Sequence, residues 1–182
     1  MKFKVYYYSR KGSNKYLAQR IASDLNCEME EIRPRLNTFL FMMMNLNLGN
    51  RKLKSNPANY DKVILCGPIF MGKLIVPLKK FIIQNTNQIN ALDFVTSCGS
   101  TFAKKDEKFG HNLVFQEVKR LLGSKCEKCQ AFPIGLVLPK ELQESPDAFM
   151  HNHLNNENFK GEILSLYQNF ISEYLGSAEK LK

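Results

Sequence analysis

Three short stretches of the chain gather small, hydroxylated, cationic and aromatic residues. They are Ser9, Arg10, Lys11, Gly12, Ser13 and Asn14; Pro68, Ile69, Phe70, Met71 and Gly72; and Ser97, Cys98, Gly99, Ser100 and Phe102. The first stretch suits a phosphate. Ser9 and Ser13 supply hydroxyls, Asn14 a side-chain amide and Lys11 a positive charge. Gly12 lets the backbone come close, and the free N–H groups at the start of a following helix favour an anion. Neither the Walker A pattern GxxxxGK[ST] nor the dinucleotide pattern GxGxxG is present, so a mononucleotide phosphate fits better than a dinucleotide. Phe70, Met71 and Phe102 are the large apolar side chains these stretches offer. Gly72 and Gly99 allow close backbone approach.

The elements that position these residues alternate between two periods. Residues 2–8, KFKVYYY, read as a β-strand, and Leu17, Ala18, Ile21, Ala22 and Leu25 fall at helical spacing over 15–25, with Ser13 or Asn14 available as N-cap. Further strands are expected at 28–32, 62–67, 93–98 and 130–138, and helices at 74–89, 111–122 and 157–175. On the last helix, Ile163, Leu166, Phe170, Ile171 and Tyr174 share a side. Pro77 is tolerated in the first turn of its helix, and Gly123 stops the helix before it. Five alternations of strand and helix predict a parallel sheet with helices on both faces. In such sheets ligands sit beyond the carboxyl ends of the strands, where strand order reverses. The loops 9–14, 68–73 and 98–110 all leave carboxyl ends, so they converge on one candidate site.

The chain has 182 residues, enough for one domain, with 44% hydrophobic and 24% charged residues. That composition excludes a disordered chain. The longest apolar run, 39–44, is far short of the ~20 residues that span a bilayer. The first residues, MKFKVYYYSR, have no apolar core of signal-peptide length and no small-residue cleavage site. Five cysteines at irregular spacing, Cys27, Cys66, Cys98, Cys126 and Cys129, are not a disulfide framework, and a reducing cytoplasm is the expected compartment. The net charge is +9. The basic residues are scattered and no stacking motif accompanies them, which argues against nucleic acid.

Two features stand apart from this pattern. Residues 33–59 interrupt the alternation with an apolar, Met-rich stretch at 36–48 flanked by Arg33, Arg35, Arg51, Lys52 and Lys54. It reads as an inserted helix with three roles open: a cover over the sheet edge or site, a contact between two copies of the chain, or a membrane-surface helix. Cys126 and Cys129 form a C-E-K-C sequence before the fifth strand. That pattern is shared by redox pairs and zinc half-sites. His151 and His153 are too close in sequence for the usual H-x₃₋₅-H completion of a zinc site.

The loops SRKGSN and PIFMG, the segment YDKVILCGPIFMGKLIVPLKKFI and the later FVTSCGST together resemble flavodoxins and flavodoxin-like proteins over nearly the whole chain. Ser9 and Gly12 match the family's first loop, while Lys11 and Asn14 stand where that loop has hydroxyl residues. Pro68, Ile69, Phe70, Met71 and Gly72 match its second. The resemblance implies a doubly wound, three-layer αβα fold with a five-stranded parallel sheet ordered 2-1-3-4-5. It also implies FMN held by Ser9, Arg10, Lys11, Gly12, Ser13 and Asn14 at its phosphate. Pro68 to Gly72, with Ser97, Cys98, Gly99, Ser100 and Phe102, would then flank the isoalloxazine ring. Three functions follow from it as expectations: electron transfer or simple flavin-dependent reduction, NAD(P)H-dependent reduction of a quinone or flavin, and an interaction module that has lost FMN. Partners would be a redox protein or a small acceptor such as a quinone. Flavodoxins that shuttle electrons are usually acidic, so a charge of +9 points to an acidic donor, a membrane surface or no charge-steered partner. No protein acid, base or nucleophile need take part, since the flavin carries the redox chemistry.

Overall fold

The computed structural model describes residues 1–35, 49–143 and 145–179. The expected helix at 36–48 lies outside the described residues. Strands β1 (Phe3–Tyr7), β2 (Glu28–Glu31), β3 (Lys62–Cys66), β6 (Leu92–Cys98) and β7 (Cys126–Pro133) form one sheet ordered β2-β1-β3-β6-β7, with every pairing parallel. This is the expected 2-1-3-4-5 arrangement. The intervening β4 (Ile69–Phe70) and β5 (Lys73–Leu74) form a separate antiparallel hairpin.

Alternation within the strands sorts the core into two layers. Val5, Tyr7, Ile64, Cys66 and Val95 face helices α1 (Ser13–Asp24) and α5 (Glu162–Glu179). Tyr6, Tyr8, Val63, Leu65, Leu92 and Phe94 face helices α2 (Val76–Asn85) and α3 (His111–Leu122). Because both sheet faces are covered, the interior strand β6 is buried at all seven positions. Helix α1 buries the predicted stripe of Leu17, Ala18, Ile21 and Ala22. Helix α5 buries Ile163, Tyr167, Phe170, Ile171 and Tyr174, with Leu166 half-buried beside them.

Several boundaries differ from the sequence reading, among them the end of α2, which falls at Asn85 rather than at 89. Ser13 and Asn14 are not N-caps; Gly12 occupies that position at φ 102°, without a side-chain cap. The 68–73 loop is a hairpin rather than irregular chain: Met71 and Gly72 take φ values of 48° and 67°, the two left-handed residues of a tight turn. Leu74 therefore belongs to β5, and α2 begins at Val76. Strand β7 starts four residues earlier than expected and ends at Pro133, because its partner β6 ends at Cys98, opposite Pro133. Residues Ile134–Val137 then form a 3₁₀ turn. Finally, a short helix α4 (Pro146–His151), capped by Ser145 Oγ accepting from the Ala148 N–H, occupies what reads as loop, and α5 starts only after Gly161.

Candidate functional site

Strand order reverses at β1: its chain crosses to β2 on one side, while β3 lies on the other. The three candidate loops leave the carboxyl ends of β1, β3 and β6, which are adjacent strands, so they meet at this switch point.

In the first loop, Tyr8 N–H still donates to the Cys66 carbonyl (2.9 Å), and the chain then turns into α1. Ser9 Oγ accepts from Gly12 N–H at 3.2 Å, and the Gly12 carbonyl accepts the first helical bond from Tyr16. The side of Gly12 where a Cβ would project is open space to at least 4 Å. Lys11 Nζ donates to the Met150 carbonyl of α4 at 2.5 Å. Ser13 and Asn14 are turned inward and buried. Ser13 Oγ accepts from Leu154 N–H (3.0 Å), and Asn14 bonds both backbone groups of Ser97. Two of the loop's polar side chains thus fasten α1 to neighbouring segments.

The second loop projects Phe70 and Met71 into solvent, 39% and 58% exposed. Gly72 seats the turn against the third loop: a Cβ there would lie 2.6 Å from the Lys108 carbonyl oxygen. Ile69 packs on the α2/α3 layer and Pro68 precedes it.

In the third loop, Cys98 is buried and its thiol donates to the Ser100 carbonyl (3.6 Å). Burial pushes the Cys98 thiol up to about 11, against the opposing pull of its bonds with Ser100, so it stays a neutral thiol rather than a nucleophile. Ser100 Oγ lies 2.8 Å from Nδ1 of His111, the first residue of α3, and Phe102 stands edge-on to the same imidazole at 5.8 Å. Burial, then Lys105, holds His111 below its usual range, so it is neutral at pH 7. Gly99 lies under Phe149 of α4, with a Cβ position 3.1 Å from that ring. Ser97 Oγ and Thr101 Oγ1 are buried and accept or donate no hydrogen bond among the described residues.

The sequence reading did not single out His111, Phe149 or the exposed Phe109, Leu113 and Met150. The signal for Phe109 and Leu113 was an apolar side chain on either side of a helix start in an otherwise polar loop. His111 and Phe149 offered none, because their roles come from contacts with residues far away in the chain. The three loops together carry six cations, Arg10, Lys11, Lys73, Lys104, Lys105 and Lys108, against two acids, Asp106 and Glu107. The arrangement can therefore receive an anionic tail near α1 and a flat apolar body near Phe70, Met71 and Phe102.

A doubly wound parallel sheet with three polar loops at the switch point defines the class of protein. Within that class, the flavodoxin domain family matches residues 4–150, and the chain belongs to that family. Among solved structures, a flavoprotein from Lactobacillus acidophilus NCFM, in complex with FMN, is similar at a TM-score of 0.59 and 17% identity, covering 71% of this chain and 92% of that one. The flavodoxin of Streptococcus pneumonia TIGR4 is similar at a TM-score of 0.50 and 13% identity, over 98% of this chain and 99% of that one. At these identities the likeness is one of fold. No curated protein sequence matches the chain. Among the described residues no helix is long and apolar enough to cross a membrane.

Proposed function

We propose that the protein binds FMN at the switch point and works as a flavodoxin-like redox protein, by electron transfer or simple flavin-dependent reduction. The observation that carries this reading is the meeting of an open, glycine-started helix N-terminus with exposed Phe70, Met71 and Phe102 on loops of adjacent strands. The residues fit the group. Gly12 leaves open space beside the α1 N–H groups, and six loop cations favour a phosphate. The unpartnered hydroxyls of Ser97 and Thr101 are buried polar atoms at the same end of the sheet, which a polar ligand edge would satisfy. FMN, when bound, supplies the electron-accepting ring. In this reading Ser9, Arg10, Lys11, Gly12 and the backbone N–H of Ser13 hold its phosphate, while the Ser13 hydroxyl and Asn14 keep α1 in place. Phe70, Met71 and Phe102 exclude water from the ring, and Pro68, Ile69, Gly72, Cys98, Gly99 and Ser100 set the backbone around it. The partner is an acidic redox protein drawn to the same cationic rim, or a small acceptor such as a quinone.

A second reading, an interaction module without FMN, is favoured by one observation: Lys11 is engaged by Met150, and Gly12 N–H by Ser9. Titration with FMN separates the two. Quenching of flavin fluorescence with a micromolar or tighter Kd, and a shifted visible absorption band, supports the flavoprotein. A protein that stays colourless and leaves micromolar FMN free overturns it. If FMN binds, consumption of NADPH or NADH in the presence of a quinone distinguishes a reductase from a carrier.

A further inference from the structure

Strand β7 is an edge strand, and it opens with Cys126, Glu127, Lys128 and Cys129. In an unbroken strand, residues three apart point to opposite faces. Here the register slips: Leu92 pairs with Cys126, and the next residue, Asp93, pairs with Lys128. Glu127 is the extra residue of a β-bulge, and its carboxylate turns to Lys62. The extra residue returns both cysteines to one face. Both pack on the α2/α3 layer, both are half-buried, and their Sγ atoms are 3.6 Å apart.

We propose that Cys126 and Cys129 form a reversible redox dithiol, a modification site for low-molecular-weight disulfides. The Cys126 thiolate attacks one sulfur of a disulfide RSSR; a bond forms between that sulfur and Sγ of Cys126, and RS⁻ leaves, taking up a proton as RSH. Sγ of Cys129 then loses its proton and attacks Sγ of Cys126, releasing the second RSH. The dithiol is oxidised by two electrons, RSSR is reduced to two RSH, and thiol excess reverses both steps. The sulfurs need to close from 3.6 Å to about 2.05 Å. The bulge lies on an edge strand, which has a neighbour on one side only and so can give.

The two thiols are unequal, which orders the steps. Hydrogen bonding from Cys129 holds the Cys126 thiol below its ordinary value, with Lys119 assisting and burial, Asp93 and Glu127 opposing. The same bond, with burial and the charge on Cys126, pushes Cys129 up. Cys126 is therefore the attacking thiol and Cys129 the resolving one. The other cysteines do not compete: Cys66 and Cys98 are buried, and burial pushes Cys27 up to about 11. His151 and His153 do not join the pair. They lie at and just beyond the end of helix α4, whose Phe149 packs at the opposite, carboxyl end of the sheet, and no three potential metal ligands cluster among the described residues.

The test incubates the full-length protein with oxidised glutathione, alkylates free thiols under denaturing conditions and digests with trypsin. Cleavage after Lys125, Lys128 and Lys140 puts the two cysteines on separate peptides, 126–128 and 129–140. The expected product is these two peptides joined by a disulfide, with alkylatable cysteines falling from five to three and returning to five with excess reduced glutathione. Cys129→Ser should accumulate glutathione on Cys126, and neither Cys129→Ser nor Cys126→Ser should yield the joined peptides. Two outcomes overturn the proposal: wild-type protein whose Cys126 and Cys129 stay alkylatable, and glutathione spread evenly over all exposed cysteines without the joined peptides. The wild-type digest decides the matter even if a variant fails to fold.

Discussion

Asn14 and Ser97, 83 positions apart, hold each other through two hydrogen bonds: Asn14 Oδ1 accepts from Ser97 N–H at 2.8 Å, and Asn14 Nδ2 donates to the Ser97 carbonyl at 3.4 Å. Both residues are buried. The pair pins the first turn of α1 to the end of β6, and so fixes the first and third loops relative to one another. Truncation leaves the buried Ser97 N–H without its side-chain acceptor, so Asn14→Ala should cost about 1–3 kcal/mol. Urea unfolding, read as a lower midpoint at unchanged slope, checks it. Asn14→Asp keeps the acceptor but sets a carboxylate against the Ser97 carbonyl, and should also be less stable than wild type.

The exposed aromatics should behave in the opposite way. Phe70 and Phe102 are 39% and 40% exposed, so Phe70→Ala and Phe102→Ala should each change stability by about 0.5 kcal/mol or less. If each covers a flavin face, the loss of stacking should weaken FMN binding by about 1–3 kcal/mol, roughly 5- to 150-fold in Kd. Fluorescence titration of both variants beside Asn14→Ala separates contact with the ring from positioning of the loops.

The main-chain architecture was legible in the sequence because strand and helix periods differ and because buried parallel strands leave apolar runs such as KVILC. What was not legible depended on contacts between distant residues. Asn14 looks the same in sequence whether its amide meets a ligand or the backbone of Ser97. The β4–β5 hairpin has two-residue strands, too short to show a period. Strand β7 was placed late because its first half, CEKC, carries no apolar alternation: an edge position and a bulge remove it. Segment 145–156 reads as loop because α4 has only six residues and is held by Phe149 over Gly99 and Lys11 at the Met150 carbonyl.

At the amino ends of the strands, Asp93 is buried with Tyr174 Oη donating to it at 2.6 Å and Lys62 Nζ at 3.3 Å. Burial raises the Asp93 carboxyl above its usual range, against the opposing pull of Tyr174 and Lys62. A carboxyl raised on folding contributes stability that is complete below its unfolded value and is lost as pH rises through its folded value. Stability attributable to Asp93 should therefore fall from acid toward neutral pH, and Asp93→Asn should flatten that part of the profile. Tyr174→Phe removes the donor to the carboxylate and should cost about 1–3 kcal/mol, more at pH 8 than at pH 5. Urea unfolding of the three proteins across this range reads both effects.

His111 reverses that sign. Its imidazole is buried between Phe102 and Phe115, with Nδ1 at Ser100 Oγ, Cys98 Sγ 3.9 Å away, and Lys105 raising the cost of protonation while Asp106 partly offsets it. A histidine lowered on folding contributes stability that is present above its unfolded value, about 6.5, and is lost as pH falls through its folded value. The third loop should therefore loosen in mild acid. Wild-type protein should lose stability as pH falls below about 6.5, beyond what its carboxylates explain. His111→Gln carries no titrating group and keeps a polar side chain near Ser100, so it should lose less over the same interval. If FMN rests on this loop, its Kd should rise in parallel for the wild type and stay flatter in the variant. An equal pH slope for both proteins, in unfolding and in FMN binding, would show that Ser100 and Phe102 are held independently of the imidazole.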